Sequence, residues 1–544
     1  MNLIWMLITL AAGVFAQHAH SNNGKGPAAS AALAAAGEYS MPIHTINPKC
    51  QQYFNAGLAM IYGFNHDEAQ RLFARAAEFD PKSPMPHWGT ALSLGSHINN
   101  DPEAAREQKA WEAIARARTL TANAPRHERQ YVEALARRYS ADPKDDRKQL
   151  ARNYAAAMAA LHRDYPDDPD AATLYAESLM NLNPWKFWSA DGRPADGTLV
   201  FVGVLETVLH RWPDHPGANH YYIHAVEASQ NPERALAAAN RVGKLVPAAG
   251  HLVHMPSHIY ARLGHWDPAA AANAAAVAVD RAYLKGKPAD SLYAMMYFPH
   301  NIHFLLYAQA AQGQCAAAAQ TGKQLVAQVS PGLDAMPLDS MLMLQAFVAY
   351  TYQLAVWCPS VPLPPAPPEK FPLTSLAYHY ARGTRSAWAK DTPAARASLA
   401  SLRAAAAKVA PETIYEPAYT TAYLTLAAAA LEARIADAEG DLTRAAGHWR
   451  AATKAQDALR YDEPPIWYYQ VRQSLAAALL RNGKLAEAEA VLRESLQKQA
   501  RDGRVLFLLW KTLAAQGRDR DADLVEREFR SVWKGAHEPR LAEL

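Results

Sequence analysis

The chain has 544 residues, 50% hydrophobic and 20% charged, which describes a folded protein and excludes wholesale disorder. With 55 Lys and Arg against 52 Asp and Glu, the net charge is +3, too small a surplus for a dedicated nucleic-acid binder. Three cysteines cannot staple a chain of this size or build a cysteine-rich zinc site. The 21 histidines are the anomaly, because ten fall between His210 and His303, where even scattering would put about four.

Residues 3–15 (LIWMLITLAAGVF) are apolar but too short to span a bilayer as a helix, which takes about 20 residues. The run suits the core of an export signal over residues 1–16, with Val14 and Ala16 as the small residues that cleavage after Ala16 needs, although no Lys or Arg precedes it. The polar stretch that follows predicts a flexible linker over residues 17–45. No later segment reaches about 18 uninterrupted apolar residues, so we expect a periplasmic or secreted protein without stable membrane insertion once the signal is removed. In an oxidising compartment Cys315 and Cys358 are able to pair, leaving Cys50 single; spacing alone leaves that open.

Beyond residue 45 no alternating strand pattern stands out; short turns such as FDPKSP and YPDDPD separate helix-length, Ala- and Leu-rich segments. From Cys50, Gly57, Ala69, Phe73, Ala76 and Pro81 fall at positions 8, 20, 24, 27 and 32 of a unit that resembles the 34-residue tetratricopeptide repeat. Units counted the same way start at Pro216, Gly250 and Pro299, and Gly440 with Ala445, Gly483 with Ala488, and Gly517 with Ala522 mark three more. Glycine at position 15 frees the turn between helices, small residues let paired helices approach, and Pro at position 32 ends the second helix. The expected fold is therefore all-α, a superhelical helix–turn–helix solenoid with a concave groove. Its N-terminal lobe would cover residues 46–357 and its C-terminal lobe 373–544, joined by a Pro-rich connection at 358–372.

In this frame His251, His254 and His258 occupy positions 2, 5 and 9, His220 and His224 positions 5 and 9, and His300 and His303 positions 2 and 5. Positions 2, 5, 9 and 12 of the first helix face the groove in such arrays, and Glu227 sits at position 12. His220 and His254 lie one 34-residue period apart, as do His224 and His258, so three helices should converge seven imidazoles on one surface. On a straight helix His251 and His258 would stand about 10.5 Å apart along the axis, so one ion could not take all three of that helix. Adjacent pairs can chelate, and Pro256 is able to restart the helix, so more than one ion fits the ligand number better. Imidazole ligands suit copper, zinc or iron, and an all-histidine set leans toward copper. By contrast His87 sits at a packing position, and His210, His215 and His265 in or near turns should face solvent.

The strings GFNHDEAQRLFARAAEFDP, TLYAESLMNLNPWKFWSADGRP, NHYYIHAVE, HLVHMPSHIY, YFPHNIHF and EPPIWYYQVRQSLAAALL resemble a broad family of bacterial tetratricopeptide proteins. That resemblance implies the repeat fold and an activity shared across the family. Its phrases add Glu177, Asn181, Trp185, Asp191, Asn219 and Asn301 as candidates. GSHIN at residues 95–99 departs from the pattern, which has Pro and Asn after the glycine, and this sets the loop apart from any expected role. Trp185, Phe187, Trp188, Tyr297 and Phe298 are placed to cover the groove, and Trp185, Asp191, Tyr221 and Tyr297 are the expected substrate contacts.

These features converge on an exported metal-dependent enzyme, a copper-type oxidoreductase acting on a small substrate. His220, His224, His251, His254, His258, His300 and His303 would be ligands, and Glu227 or Glu177 proton acceptors. Zinc in the same site would make it a hydrolase. Two other readings share the sequence: a scaffold whose groove holds a peptide or protein partner, and a metal storage or delivery protein.

Overall fold

A computed structural model describes residues 37–289, 291–335, 342–410 and 417–544. The expected export signal at 1–16 and the linker as far as residue 36 lie outside the described residues. Helices supply all the extended regular structure: no strand occurs among the described residues, only isolated bridges His97–Asn100 and Trp188–Pro194. The chain is an all-α array of the tetratricopeptide type. No described helix is long and apolar enough to cross a membrane.

The described residues up to Ile259, with Ala272–Tyr297, form one compact unit, and Tyr260–Ala271 with Phe298–Leu544 form a second. The first contains helices α1 (Pro48–Tyr62), α2 (His66–Phe79), α3 (Met85–Leu94), α4 (Ala104–Thr119), α5 (Arg126–Ala136), α6 (Arg147–Asp164), α7 (Pro169–Met180), α8 (Thr198–Arg211), α9 (Pro216–Val226), α10 (Leu236–Leu245) and α11 (Gly250–His254). Helices α12 (Pro256–Arg262) and α13 (Trp266–Leu284) run across the division. The second unit continues with α14 (Phe298–Ala311), α15 (Cys315–Ala335), α16 (Leu342–Trp357), α17 (Pro372–Trp388), α18 (Thr392–Ala406), α19 (Pro417–Ala438), α20 (Leu442–Asp457), α21 (Arg472–Arg481), α22 (Leu485–Lys498), α23 (Gly503–Ala515) and α24 (Asp519–Val532). Consecutive helices pair as hairpins: α1 with α2, α3 with α4, α7 with α8, α17 with α18, α19 with α20 and α23 with α24.

The local chemistry explains the boundaries. Asn47, Asn65, Asp168, Asp391 and Asp502 accept from backbone amides in the first turn of the helices they precede, and Pro48, Pro169, Pro216 and Pro372 stand where a missing N–H costs nothing. Gly264, Gly313, Gly440, Gly483 and Gly517 all adopt the left-handed backbone, with φ of 68°, 75°, 81°, 72° and 73°. They hold the turn that position 15 requires. Phe64 occupies the same position in the unit from Cys50, with φ of 55°, a conformation that costs a side chain about 1–2 kcal/mol. Within the first unit, the Phe73 ring fills the space over two glycines, since a Cβ on Gly57 would stand 2.7 Å from it and one on Gly89 2.5 Å.

Helices α16 and α17 on either side of the Pro-rich segment 358–372 pack together within the second unit. The Arg385 guanidinium pins the segment by donating to the carbonyls of Ala355 at 3.0 Å, Pro359 at 3.1 Å and Val361. Cys358 forms a disulfide with Cys315, Cα to Cα 5.5 Å, and Cys50 is a buried free thiol. A proline run lacks amide donors, and the carbonyl of Pro365 within it accepts from the Tyr352 hydroxyl at 2.7 Å.

Candidate metal centre

Helix α9 (PGANHYYIHAV) is buried along its whole length, so its side chains meet other residues on every face. His215 caps its start, with Nδ1 accepting from the Ala218 amide at 3.0 Å, and Nε2 therefore donates to Asp170 Oδ1 at 3.1 Å. His215 is thus buried at 5% exposure, a correction to the solvent-facing expectation; the helix start needed an acceptor and Asp170 holds the other ring nitrogen. Beyond it, His220 and His224 point from consecutive turns, 4.8 Å apart between ring centroids.

The next first helix of the array is broken. Helix α11 ends at His254 and α12 restarts at Pro256, because proline has no N–H for the ladder. The ladder is thus interrupted between His251 and His258. Ring centroids are 5.7 Å apart for His251–His254 and 4.7 Å for His254–His258, while His251 lies 4.9 Å from His220 and His258 5.4 Å from His224. Five of the seven expected histidines therefore form one contiguous group, each at most 1% exposed. Candidate ligand atoms of His220, His224 and His251 all lie within 4.8 Å of one another.

Hydrogen bonding fixes most of the tautomers. His220 Nδ1 lies 2.6 Å from the Tyr62 carbonyl, and His224 Nδ1 and His258 Nδ1 lie 2.7 and 2.6 Å from the two oxygens of the Glu227 carboxylate. His254 Nδ1 lies 2.6 Å from Asn273 Oδ1. The Tyr62 carbonyl and the Glu227 carboxylate only accept, so His220, His224 and His258 carry the proton on Nδ1; His254, which also has Ser257 Oγ 3.2 Å from its Nδ1, does so with the Asn273 amide turned Oδ1 toward it, and Nε2 is then a lone pair on each. His254 Nε2 and His258 Nε2 are then directed at each other at 2.7 Å, and His220 Nε2 stands 3.1 Å from His251 Nε2. Two lone pairs at 2.7 Å repel unless a cation lies between or beside them. A proton is disfavoured there, since burial drives His254 well below the usual histidine range and its neighbour His258 pushes it further. Burial does the same to His220 and His251. The residues thus fit a transition metal: neutral imidazoles with Nε2 forward, oriented through Nδ1 by carbonyl, amide and carboxylate oxygens. Glu227, with no exposed surface, holds two of the ligands in place.

Around this group lie residues that repeat phasing did not single out. Phe64, held in the left-handed turn, places its ring 4.4 Å from His220, 5.4 Å from His251 and 5.0 Å from His97. His97 packs on His66 at 4.2 Å with the rings tilted by 31°, and accepts through Nδ1 from the Asn99 amide. The loop GSHIN, set apart by its departure from the family pattern, thus delivers His97 and Asn99 to the site. Asn99 Oδ1 accepts from the Trp185 indole at 3.1 Å, and the Trp185 ring meets the His224 ring edge-on at 5.1 Å. Trp185 has φ of 62°, a second strained side chain against the histidines. Tyr297 stands 5.0 Å from His251, and Tyr221 5.3 Å from His220. Glu177 Oε1 accepts from the Asn181 amide while its Oε2 is buried without a partner, and burial raises the carboxyl above its ordinary range against the pull of Arg138.

Asp191 and Asn219 have other partners. Asp191 is 58% exposed and pairs with Arg193 at 2.8 Å; its short loop turns it to solvent, so it does not join the histidines. Asn219 ties the start of α9 by donating to the carbonyls of Pro213 and His215 at 2.7 and 2.9 Å. His300, His303 and Asn301 belong to the second unit. There the buried His303 ring stacks on Tyr350 at 3.8 Å with neither ring nitrogen hydrogen-bonded among the described residues, and His300 meets Phe304 edge-on.

No protein-family model matches the chain, and no curated protein matches it. Among solved structures it is similar to a human IFIT1 dimer with m7Gppp-AAAA, at 13% identity over 90% of this chain and 91% of that one, with a TM-score of 0.32. It is also similar to yeast Tom70, at 13% identity over 89% and 90% of the two chains and a TM-score of 0.29. The APC/C hetero-tetramer Cut9–Hcn1 follows, at 12% identity over 90% and 88% and a TM-score of 0.29. At those scores the likenesses carry nothing about the site, and the repeat fold stands on the helices and turns themselves.

Proposed function

We propose that this chain is an exported metal-dependent oxidoreductase whose buried histidines hold transition metal, copper preferred, for the oxidation of a small substrate. The single observation that carries the reading is the His254–His258 pair, whose Nδ1 atoms both face oxygen acceptors while the two Nε2 atoms meet at 2.7 Å. His220, His224 and His251 would hold one ion, and His254 with His258 would offer a second position. Bound copper would supply one-electron chemistry, and imidazole is among the ligands that favour it.

The chain's own residues supply the rest. Glu227 orients His224 and His258 and places a negative charge where a cation would balance it. Glu177, with its carboxyl raised by burial, is suited to hold or release a proton at Oε2. Trp185, Tyr221, Tyr297 and Phe64 exclude water from the imidazoles. The disulfide Cys315–Cys358 supports an oxidising compartment, in keeping with the apolar run at residues 3–15.

Elemental analysis of the purified full chain, with a visible absorption spectrum, tests this. Stoichiometric copper that is lost in His254→Ala and His258→Ala is the expected result. Absence of metal, with no uptake when Cu(II) or Zn(II) is titrated in, would overturn the reading. Stoichiometric zinc would redirect it to hydrolysis, and full occupancy without turnover of any small-molecule panel to storage.

A further inference from the structure

The second unit contains a pocket of about 690 Å³ that the metal site does not use, with Trp357, Arg434, Tyr469, Gln473, Arg504 and Trp533 among its lining. The volume falls in the range that accepts a small organic ligand. Two guanidiniums stand in its wall, each 3% exposed. Arg434 lies over the rings of Trp449 at 4.8 Å and Trp388 at 5.6 Å and makes one hydrogen bond, Nη2 to Ser474 Oγ at 3.2 Å. Its Nε has no partner, and among the described residues no carboxylate pairs with it. Arg504 lies between Trp357 and Trp533, 4.8 and 4.9 Å from the ring centroids, and gives its protons to the carbonyls of Ala310 at 3.0 Å and Trp357 at 2.8 Å.

The acids nearby are committed elsewhere. Asp502 caps α23 through the amides of Arg504 and Val505, Glu538 pairs with Arg530, and Glu543 with Arg540. Burial lowers the Arg504 guanidinium to about 10 against the pull of Asp502, whereas Arg434 has no such carboxylate paired with it among the described residues. The Gln473 Oε1 and Trp357 Nε1 atoms are buried without partners in the same lining. A buried cation without a counter-charge is costly, and an anion in the cavity would offset that cost.

We propose that this pocket binds a small organic carboxylate with a flat apolar body, the carboxylate meeting Arg434 and the body lying against the tryptophan-lined wall. A planar guanidinium matches the two oxygens of a carboxylate, and indole faces match an unsaturated ring. The site is independent of the metal reading.

Isothermal titration of the full chain tests it, with benzoate and indole-3-acetate as probes and benzyl alcohol and inorganic phosphate as comparators. Saturable one-site binding of the carboxylates is expected, at least about tenfold tighter than either comparator, from the strength of a charged hydrogen bond. Arg434→Met should cut carboxylate affinity about tenfold or more while leaving the thermal midpoint of the free protein unchanged or higher, because it removes an uncompensated buried charge. Trp533→Leu, which leaves Arg434 in place, should weaken indole-3-acetate. The proposal is overturned if no carboxylate binds, if benzyl alcohol or phosphate binds as tightly, or if carboxylate affinity survives either substitution. A midpoint that falls in Arg434→Met with probe affinity intact would assign the arginine to packing alone.

Discussion

Glu227 Oε2 lies 2.6 Å from Nδ1 of His258, which stands on the next repeat, while Glu227 Oε1 accepts a hydrogen bond from Nδ1 of His224 on its own repeat at 2.7 Å. One carboxylate therefore sets the tautomer of two imidazoles that repeat phasing stacks 34 residues apart. In the proposed centre this gives Glu227 an orienting role beside that of the proton acceptor expected from the sequence.

Glu227→Gln should accordingly lower metal affinity by about 10–100-fold with the fold intact. An amide keeps the volume but offers only one acceptor oxygen, so its NH2 would face one Nδ1–H and drive that ring to the other tautomer, with Nε2 protonated and unable to ligate. Competition against a chelator of known strength measures the change. Affinity equal to that of the unsubstituted chain would show that Glu227 does not control the ligands.

Acid should destabilise the metal-free protein through its buried histidines, and His66 allows the sign to be worked out. Burial, with Arg106 close by, lowers His66 to about 4, whereas the unfolded side chain titrates near 6.5. A depressed histidine contributes stability that is fully present above about pH 6.5 and is lost as pH falls toward 4. The two values differ by enough to be worth roughly 3 kcal/mol over that window. His66→Gln should flatten the fall by that order, read from urea unfolding at pH 7.5 and 4.5. Parallel pH profiles for the two proteins would refute it.

The repeat phase was legible because it rests on single residues with one job. Gly264, Gly313, Gly440, Gly483 and Gly517 could be placed at a left-handed turn from spacing alone, and each adopts it. The pairing of His220 with His251 was only half legible: both were expected on one surface, but which imidazoles meet across repeats depends on side-chain packing that periodicity does not specify. Phe64, His66, His97 and Asn99 were not legible as site residues. Their sequence neighbourhoods read as an ordinary turn and an aberrant loop, and only the packing of α9 against α1 brings His220 to Phe64. Asn273, whose oxygen orients His254, lies on a second helix and outside the groove positions altogether.

Packing of the first unit predicts an asymmetric cost for a single methyl group. Gly89→Ala would put a Cβ 2.5 Å from the buried Phe73 ring, whose same edge also lies 2.7 Å from where a Cβ on Gly57 would stand. The ring has no room to retreat, so the substitution should cost about 1–3 kcal/mol by overpacking. Gly203→Ala on α8, where nothing lies within 4 Å, should be neutral or stabilising because alanine favours a helix. Chemical denaturation of the two variants compares them directly, and equal stabilities would contradict the confinement of Phe73.

The disulfide should stabilise the second unit mainly by restricting its unfolded chain. Cys315 and Cys358 close a loop across a sequence separation of 43, for which roughly 3–4 kcal/mol is expected. Cys358→Ser, or reduction of the unsubstituted chain, should lower the thermal midpoint of that unit and leave α1–α9 unaffected in hydrogen exchange. A midpoint insensitive to reductant would mean the hydrophobic contacts of α14–α16 alone hold the segment.

Phe64 sets two costs against each other, and the comparison of two substitutions separates them. Its ring is 3% exposed, so removing it should cost about 3–5 kcal/mol of packing whichever small residue replaces it. Its φ of 55° is a conformation that glycine adopts freely and alanine does not. Phe64→Ala should therefore be less stable than Phe64→Gly by about 1 kcal/mol, reversing the order usual for these residues. Gly440→Ala supplies the reference, because φ there is 81° and nothing lies within 4 Å, so its destabilisation reports the backbone term alone. If the Gly-to-Ala difference at residue 64 matches that at residue 440, the left-handed turn at Phe64 is a strain accepted to place an aromatic ring against His220. If alanine is the better replacement, the turn relaxes when the ring is removed and the strain account fails.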